Sequence, residues 1–175
     1  MTDTIARAAI LVIEGGRVLL MKRYIRKPSA AVCPRCDHLG LEGPDCPGHH
    51  YAIIPGGHVE EGETYEAAAL RELAEETTLT ARIDRLLWTG NHFSRPARYF
   101  LATDVVGVPT LSGEEAGANG PTNSYALCWA GAEDLADLNL LPEEARDPLR
   151  RFLRGDRDDQ GDNVVCEQDQ ATIFP

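Results

Sequence analysis

The stretch GHVEEGETYEAAALRELAEETTL, residues 57–79, decides how the rest of the chain is read. It follows the apolar run Tyr51 to Ile54, which predicts a strand, and Pro55, Gly56 and Gly57, which predict a turn where glycine lets the backbone approach a ligand closely. Thr64 predicts a helix N-cap, and Glu66 falls in the first turn, where a carboxylate meets the positive end of the helix dipole. Ala69, Leu70 and Leu73 supply an apolar stripe that can pack on a sheet. Glu72, Glu75 and Glu76 stand at i, i+3 and i+4, so their side chains leave one face of the helix close together. Such carboxylates repel unless water solvates them or a divalent cation gathers them, and hard oxygen donors suit Mg²⁺ or Mn²⁺. Taken alone, three clustered glutamates read as a solvated acidic face.

The spacing adds more. The segment resembles the Nudix box, G-x5-E-x7-R-E-U-x-E-E-x-G-U with U apolar, the signature of the Nudix hydrolase superfamily. Gly57, Glu63, Arg71, Glu72, Leu73, Glu75, Glu76 and Leu79 fall in register, and Thr78 replaces the second glycine. The resemblance implies an α/β protein, a Nudix α/β/α sandwich with a mixed sheet. It also implies Mg²⁺- or Mn²⁺-dependent hydrolysis of a diphosphate bond in a nucleoside diphosphate linked to another moiety. On this reading Glu72, Glu75 and Glu76 are the metal ligands, and Glu75 or Glu76 also serves as general base. Glu63 and Arg71 join the catalytic set by tying turn to helix through an ion pair. In many relatives a later loop supplies a further glutamate. Glu114 and Glu115, within Ser112 to Gly120, are the candidates here and read equally as solvated loop charge. Gly56, Gly57 and Arg23 are expected to contact substrate, Arg23 being placed like phosphate-contacting arginines of MutT-type relatives. An exposed strand end explains Arg23, Arg26 and Lys27 just as well. Thr78 removes no ligand, but a β-branched residue where an αL glycine often closes a helix is strained.

A second constellation lies at residues 28–50, between the strand starting at Val18 and the one starting at Tyr51. Cys33-Pro34-Arg35-Cys36 and Cys46-Pro47-Gly48-His49 give C-x2-C and C-x2-H spacing, which suits tetrahedral Zn²⁺. His50 can replace His49, and His38 is a weaker choice. Free thiols or a disulfide are the alternatives. Four protein ligands make a closed site, so a zinc here is expected to be structural, and its place in the chain lets it stiffen the cleft rim or cover the nucleoside side of a substrate. Cys128 and Cys166 are isolated and read as packing or tail residues.

Around these motifs the pattern predicts a hairpin of Ala9 to Ile13 and Val18 to Tyr24, then strands at Leu86 to Thr89, Arg98 to Val106 and Ser124 to Trp129. A helical turn at Glu133 to Leu135 and a final helix from Glu143 to Leu153 complete the order. The 175 residues suit one domain, 1–154, with 28–50 inserted and an acidic tail at 155–175 expected to be flexible or to dock on the domain or a neighbouring subunit. A homodimer is therefore left open. Seventeen basic against 28 acidic residues, a formal charge of -11, disfavour binding to nucleic-acid polymers. Small phosphorylated nucleotides remain open, because a cation can mediate between acidic protein and anionic ligand. The short apolar run Ala8 to Ile13 fits neither a membrane span nor a cleaved leader, so a cytoplasmic protein is expected. His92, Phe93, Arg95, Asn123 and Tyr125 offer stacking and hydrogen bonding without selecting one nucleotide. The alternatives to an enzyme are a non-catalytic nucleotide-binding Nudix domain and a zinc-stapled interaction module; an intact glutamate set argues against both.

Overall fold

The computed structural model describes residues 5–156. Its strands are β1 (Arg7–Leu11), β2 (Ile13–Glu14), β3 (Arg17–Ile25), β4 (His49–Ile53), β5 (Gly56–His58), β6 (Thr80–His92), β7 (Arg95–Val106), β8 (Asn123–Ala130) and β9 (Leu140–Leu141). The helices are α1 (Pro34–His38), α2 (Tyr65–Thr77), α3 (Gly113–Gly117), α4 (Asp134–Asp137) and α5 (Arg146–Arg154).

Two mixed sheets form. In the first, with order β5-β1-β7-β6, β1 runs parallel to β7 and antiparallel to β5. In the second, β3 pairs antiparallel with β2, β4 and β8, and β9 adds parallel to β4. The apolar run at the start of the chain is buried on both faces, which explains why it does not alternate. Ala8 and Ile10 pack with Ala68, Ala69 and Leu73 of α2, while Ala9 and Leu11 pack with Leu20, Tyr99 and Leu149 in the second core. Helix α2 therefore lies on one face of the first sheet, and α5 closes the core on its other face. Among the described residues no helix is long and apolar enough to cross a membrane, which says nothing of β-barrels.

The structure corrects four expectations. The hairpin partner of β3 is the two-residue β2, not the whole Ala9 to Ile13 run, because β1 is taken by β5 and β7. Gly56 and Gly57 are not a free turn: they extend as β5 and pair with Ala9 and Ala8. The strand expected at Leu86 to Thr89 runs from Thr80 to His92. Its register shifts at three places against β7, and these irregularities hide its alternation in the sequence. The last helix is split into a 3₁₀ turn, Glu143–Ala145, and α5. Of the expected tail, Gly155 closes α5 at φ 71° and Asp156 follows it; residues 157–175, including Cys166, lie outside the described residues.

Candidate active site

Helix α2 begins where Thr64 Oγ1 accepts the Ala67 N–H at 3.1 Å. With Ala68, Ala69 and Leu73 buried against the sheet, Glu72 and Glu76 are turned towards the strand that precedes the helix. Glu76 Oε2 accepts the Gly56 N–H at 2.9 Å, and Glu76 is only 6% exposed. The Glu72 carboxylate occupies the space a side chain at Gly57 would need. At Gly56 an added Cβ would overlap the backbone of Ala8, and φ is +147°. The glycine pair is thus required by close approach: sheet backbone on one side, a carboxylate on the other. Gly57→Ala is expected to leave the fold intact and displace Glu72, because a side chain can yield where backbone cannot. A thermal midpoint close to wild type, with the Mg²⁺-induced rise in midpoint lost, is the expected calorimetric result; retention of that rise would show that Glu72 is not needed where it lies.

Arg71 ties these parts together. Its Nε and Nη2 donate to the two Glu63 oxygens, each at 3.0 Å, Nη2 also donates to the His58 carbonyl at 2.9 Å, and Nη1 donates to Glu72 Oε1 at 2.8 Å. Hydrogen bonds from Arg71 and from the Glu60 N–H hold the Glu63 carboxyl below its usual range, and the same pairing raises the Arg71 pKa. The geometry is that of an orienting clamp, with Glu63 directed at the guanidinium. Glu75 is different from its neighbours: its side chain is 58% exposed, 3.4 Å from Arg71 Nη1, and it does not line the cleft.

Thr78 closes the helix at φ 61°, the left-handed conformation that glycine adopts without steric cost. Its N–H donates to the Ala74 carbonyl at 3.0 Å and its Oγ1 to the Val108 carbonyl at 3.3 Å. Exchange to glycine removes the strain of a β-branched residue and one exposed hydrogen bond. Thr78→Gly is expected to stabilise by about 0.5–1 kcal/mol in urea unfolding; a loss of that size would mean that the Val108 contact outweighs the strain.

The following loop covers the helix end. Thr110 N–H donates to Thr77 O at 2.9 Å, and Ser112 donates through N to Glu76 O at 3.0 Å and through Oγ to Glu75 O at 2.5 Å. Gly113, at φ +66°, passes so close that a Cβ would lie 2.8 Å from Glu75 O. The carbonyls that a helix leaves unpaired thus fix the loop that delivers Glu114 and Glu115.

Glu72, Glu76, Glu114 and Glu115 line one cleft of about 300 Å³, with Gly56, Gly57, Arg7 and Arg23 in its walls. Burial pushes the Glu76 pKa up to about 8; Arg7 and the Gly56 N–H oppose the shift, while Glu115 and Glu72 add to it. A buried carboxylate surrounded by other carboxylates is an arrangement that a divalent cation relieves, and its all-oxygen donor set fits Mg²⁺ or Mn²⁺. Arg7 reaches this cleft although nothing in the sequence motifs marks it. It begins β1, donates to the Ile54 carbonyl at 3.4 Å, and has its pKa lowered by burial. One base just ahead of a doubly buried strand was the available signal.

Cys33, Cys36, Cys46 and His49 bring their donor atoms within 4.8 Å of one another. Cys36 Sγ is 3.6 Å from Cys46 Sγ and 3.2 Å from His49 Nε2. Ligand atoms around tetrahedral zinc stand roughly 3.5–3.8 Å apart, so the cluster could hold such an ion. His50 stacks on Tyr24, with ring centroids at 4.5 Å, and His38 meets Phe93 edge-on; neither belongs to the cluster. Burial pushes the Cys36 thiol up, while the backbone at Lys27 lowers the Cys46 thiol to about 7. Cys128 is half-buried and packs against the second core.

Known proteins resemble the chain at three levels. A curated ADP-ribose pyrophosphatase of Methanocaldococcus jannaschii is 35% identical over 95 residues, 54% of this chain and 50% of that protein. The chain therefore spans about half the length of the curated relative it matches. The solution structure of the E. coli ORF135 protein superposes with TM-score 0.58 at 18% identity, covering 90% of this chain and 94% of that one. The MutT NUDIX hydrolase of Burkholderia pseudomallei gives TM-score 0.55 at 24% identity over 83% of this chain and 95% of that one. At these identities the likeness concerns the fold. The model of the NUDIX domain matches residues 3–154, and with that match over most of its length the chain belongs to the NUDIX domain family.

Proposed function

We propose that the protein hydrolyses a diphosphate bond in a nucleoside diphosphate linked to another moiety, with Mg²⁺ or Mn²⁺ held by Glu72 and Glu76 in the cleft and by Glu75 once its exposed side chain turns in to join them. The observation that carries the reading is the convergence of Glu72, Glu76, Glu114 and Glu115 in one cleft that also contains Arg7 and Arg23. When bound, the cation neutralises diphosphate oxygens and activates the attacking water. The protein's own part is orientation and proton transfer. The Gly56 N–H and the Arg71 guanidinium fix the Glu76 and Glu72 carboxylates, so little reorganisation is left for the reaction. Arg7 and Arg23 offer donors to phosphate oxygens. Glu76 and the loop pair Glu114 and Glu115 are the proposed proton acceptors, with Glu75 contributing from its exposed position.

The named activity of the Methanocaldococcus jannaschii relative supports including ADP-ribose among candidate substrates. The Cys33, Cys36, Cys46 and His49 cluster is proposed to hold a structural Zn²⁺ that staples residues 28–50 into one domain, 1–154; a cytoplasmic setting that keeps thiols reduced suits such a site. A formal charge of -11 supports small nucleotides over nucleic-acid polymers.

The test is incubation with Mg²⁺ and nucleoside triphosphates, nucleotide sugars, ADP-ribose and dinucleoside polyphosphates. Glu75→Gln and Glu76→Gln are the controls. Turnover of one class that is lost in the controls is expected. Metal-dependent nucleotide binding without turnover would favour a binding domain instead.

A further inference from the structure

Beside the glutamate cleft lies a larger cavity of about 800 Å³ that shares Arg7 and Arg23 with it. One wall is α1, inside the Cys/His insertion; another is the β6–β7 turn, and the His38 and Phe93 rings meet at 5.4 Å where these approach. In a chain of formal charge -11, Arg7, Arg23, Lys27, Arg35 and Arg95 all line this one space. Asp37, Glu143 and Glu144 line it too, and Glu143 is already 3.5 Å from Arg146. Arg95 is taken up by His58 at 2.6 Å. Arg35 and Lys27 enter no ion pair among the described residues. Arg35 Nε and Nη1, and Arg23 Nε, are shielded from solvent with no hydrogen-bond partner. A shielded donor without a partner is unfavourable, and an anion that accepts from the guanidinium relieves it.

We propose that this cavity is a second anion subsite, in which Arg35, Lys27 and Arg23 hold a phosphomonoester on the part of the substrate beyond the scissile diphosphate. The inference rests on the hydrolase reading above and narrows its substrate class. Arg7 faces the diphosphate and Arg23 stands between the two spaces; Arg35 and Lys27 add positive charge that the acidic lining, Asp37, Glu143 and Glu144, offsets only in part and that a further phosphate complements. The planar guanidinium matches phosphate oxygens in pairs, and Lys27 adds a point charge. The Cys/His cluster positions this subsite, because Arg35 lies between Cys33 and Cys36 and moves with them.

Two measurements test it. Inorganic phosphate is titrated calorimetrically without added divalent cation, so that the glutamate cleft repels the probe. Arg35→Gln and Lys27→Gln are each expected to weaken binding about tenfold, the 1.4 kcal/mol of one lost charged contact, and Arg35→Lys less. Lys27 is exposed, so its exchange leaves the Cys/His packing undisturbed should the Arg35 variants fold poorly. Turnover with Mg²⁺ is then compared for substrate pairs differing by one phosphomonoester, NADP⁺ with NAD⁺ and coenzyme A with its dephospho form. The phosphorylated member is expected to win through KM, and Arg35→Gln to shrink that preference. Unchanged phosphate affinity in both glutamine variants, with equal turnover of the pairs, would overturn the subsite and leave the hydrolase standing. Phosphate binding that is weakened in the variants, with no turnover of these pairs or of any compound in the panel above, would uphold the anion subsite and contradict the hydrolase.

Discussion

Glu76→Gln is expected to lower kcat by roughly 10²–10⁴ while making the metal-free protein more stable at pH 8. The two effects have one cause. Burial raises the Glu76 pKa to about 8, from an ordinary carboxylate value of 4.5. Between these values the folded state keeps a proton that the unfolded chain has released, so the carboxyl adds stability at low pH that is lost as pH rises towards 8. Glutamine stays neutral throughout and can still accept the Gly56 N–H. Denaturant unfolding from pH 5 to 8 without divalent cation should therefore show a falling stability in wild type, with this component absent in the variant. Mg²⁺ must displace the same proton, so its affinity should rise by up to about tenfold per pH unit over this range. A pH-independent Mg²⁺ affinity would mean that Glu76 is not a ligand.

Loss of metal from the Cys/His cluster is expected to have the second large effect. Among the described residues the insertion's own apolar cluster consists of Ala30, Cys33, Cys36 and Cys46, too little buried surface to order the segment without a cross-link. His49 is also the first residue of β4, which pairs with the long β3, so disorder in the insertion spreads into the second sheet. Cys36→Ser should abolish a stoichiometric zinc content and lower stability on the order of 3 kcal/mol, a midpoint shift of roughly 6–12 °C. Elemental analysis with scanning calorimetry reads both. A protein that lacks zinc yet melts like wild type would remove the structural role.

The box and the Cys/His spacing were legible because their residues meet through local geometry. Glu72 and Glu76 are one helical turn apart, and each Cys/His pair is three residues apart in sequence, Cys33 and Cys36 at the start of α1 and Cys46 and His49 where the chain enters β4. Arg7 was not legible, because only the pairing of β1 with β5 and β7 brings it to Glu76. The same holds for the loop from Val108 to Gly113, whose fixed position comes from hydrogen bonds to the end of α2. Glu75 shows the opposite limit. Its spacing groups it with Glu72 and Glu76, yet helix rotation against the sheet buries Glu76 and leaves Glu75 in solvent. Strand β6 was underestimated since its bulges break the alternation by which strands are recognised. The strain at Thr78 was readable from its type and position, and its φ of 61° matches.

The most direct measurement is product analysis after reaction in ¹⁸O-labelled water with Mg²⁺, using the diphosphate compound that turns over fastest. Cleavage of the bridging diphosphate into two monophosphates, one carrying a single ¹⁸O, with no such products from Glu72→Gln, is the expected result. Persistence of the products in Glu72→Gln, or no cleavage of any diphosphate despite Mg²⁺-dependent binding, would contradict catalysis by the glutamate cleft.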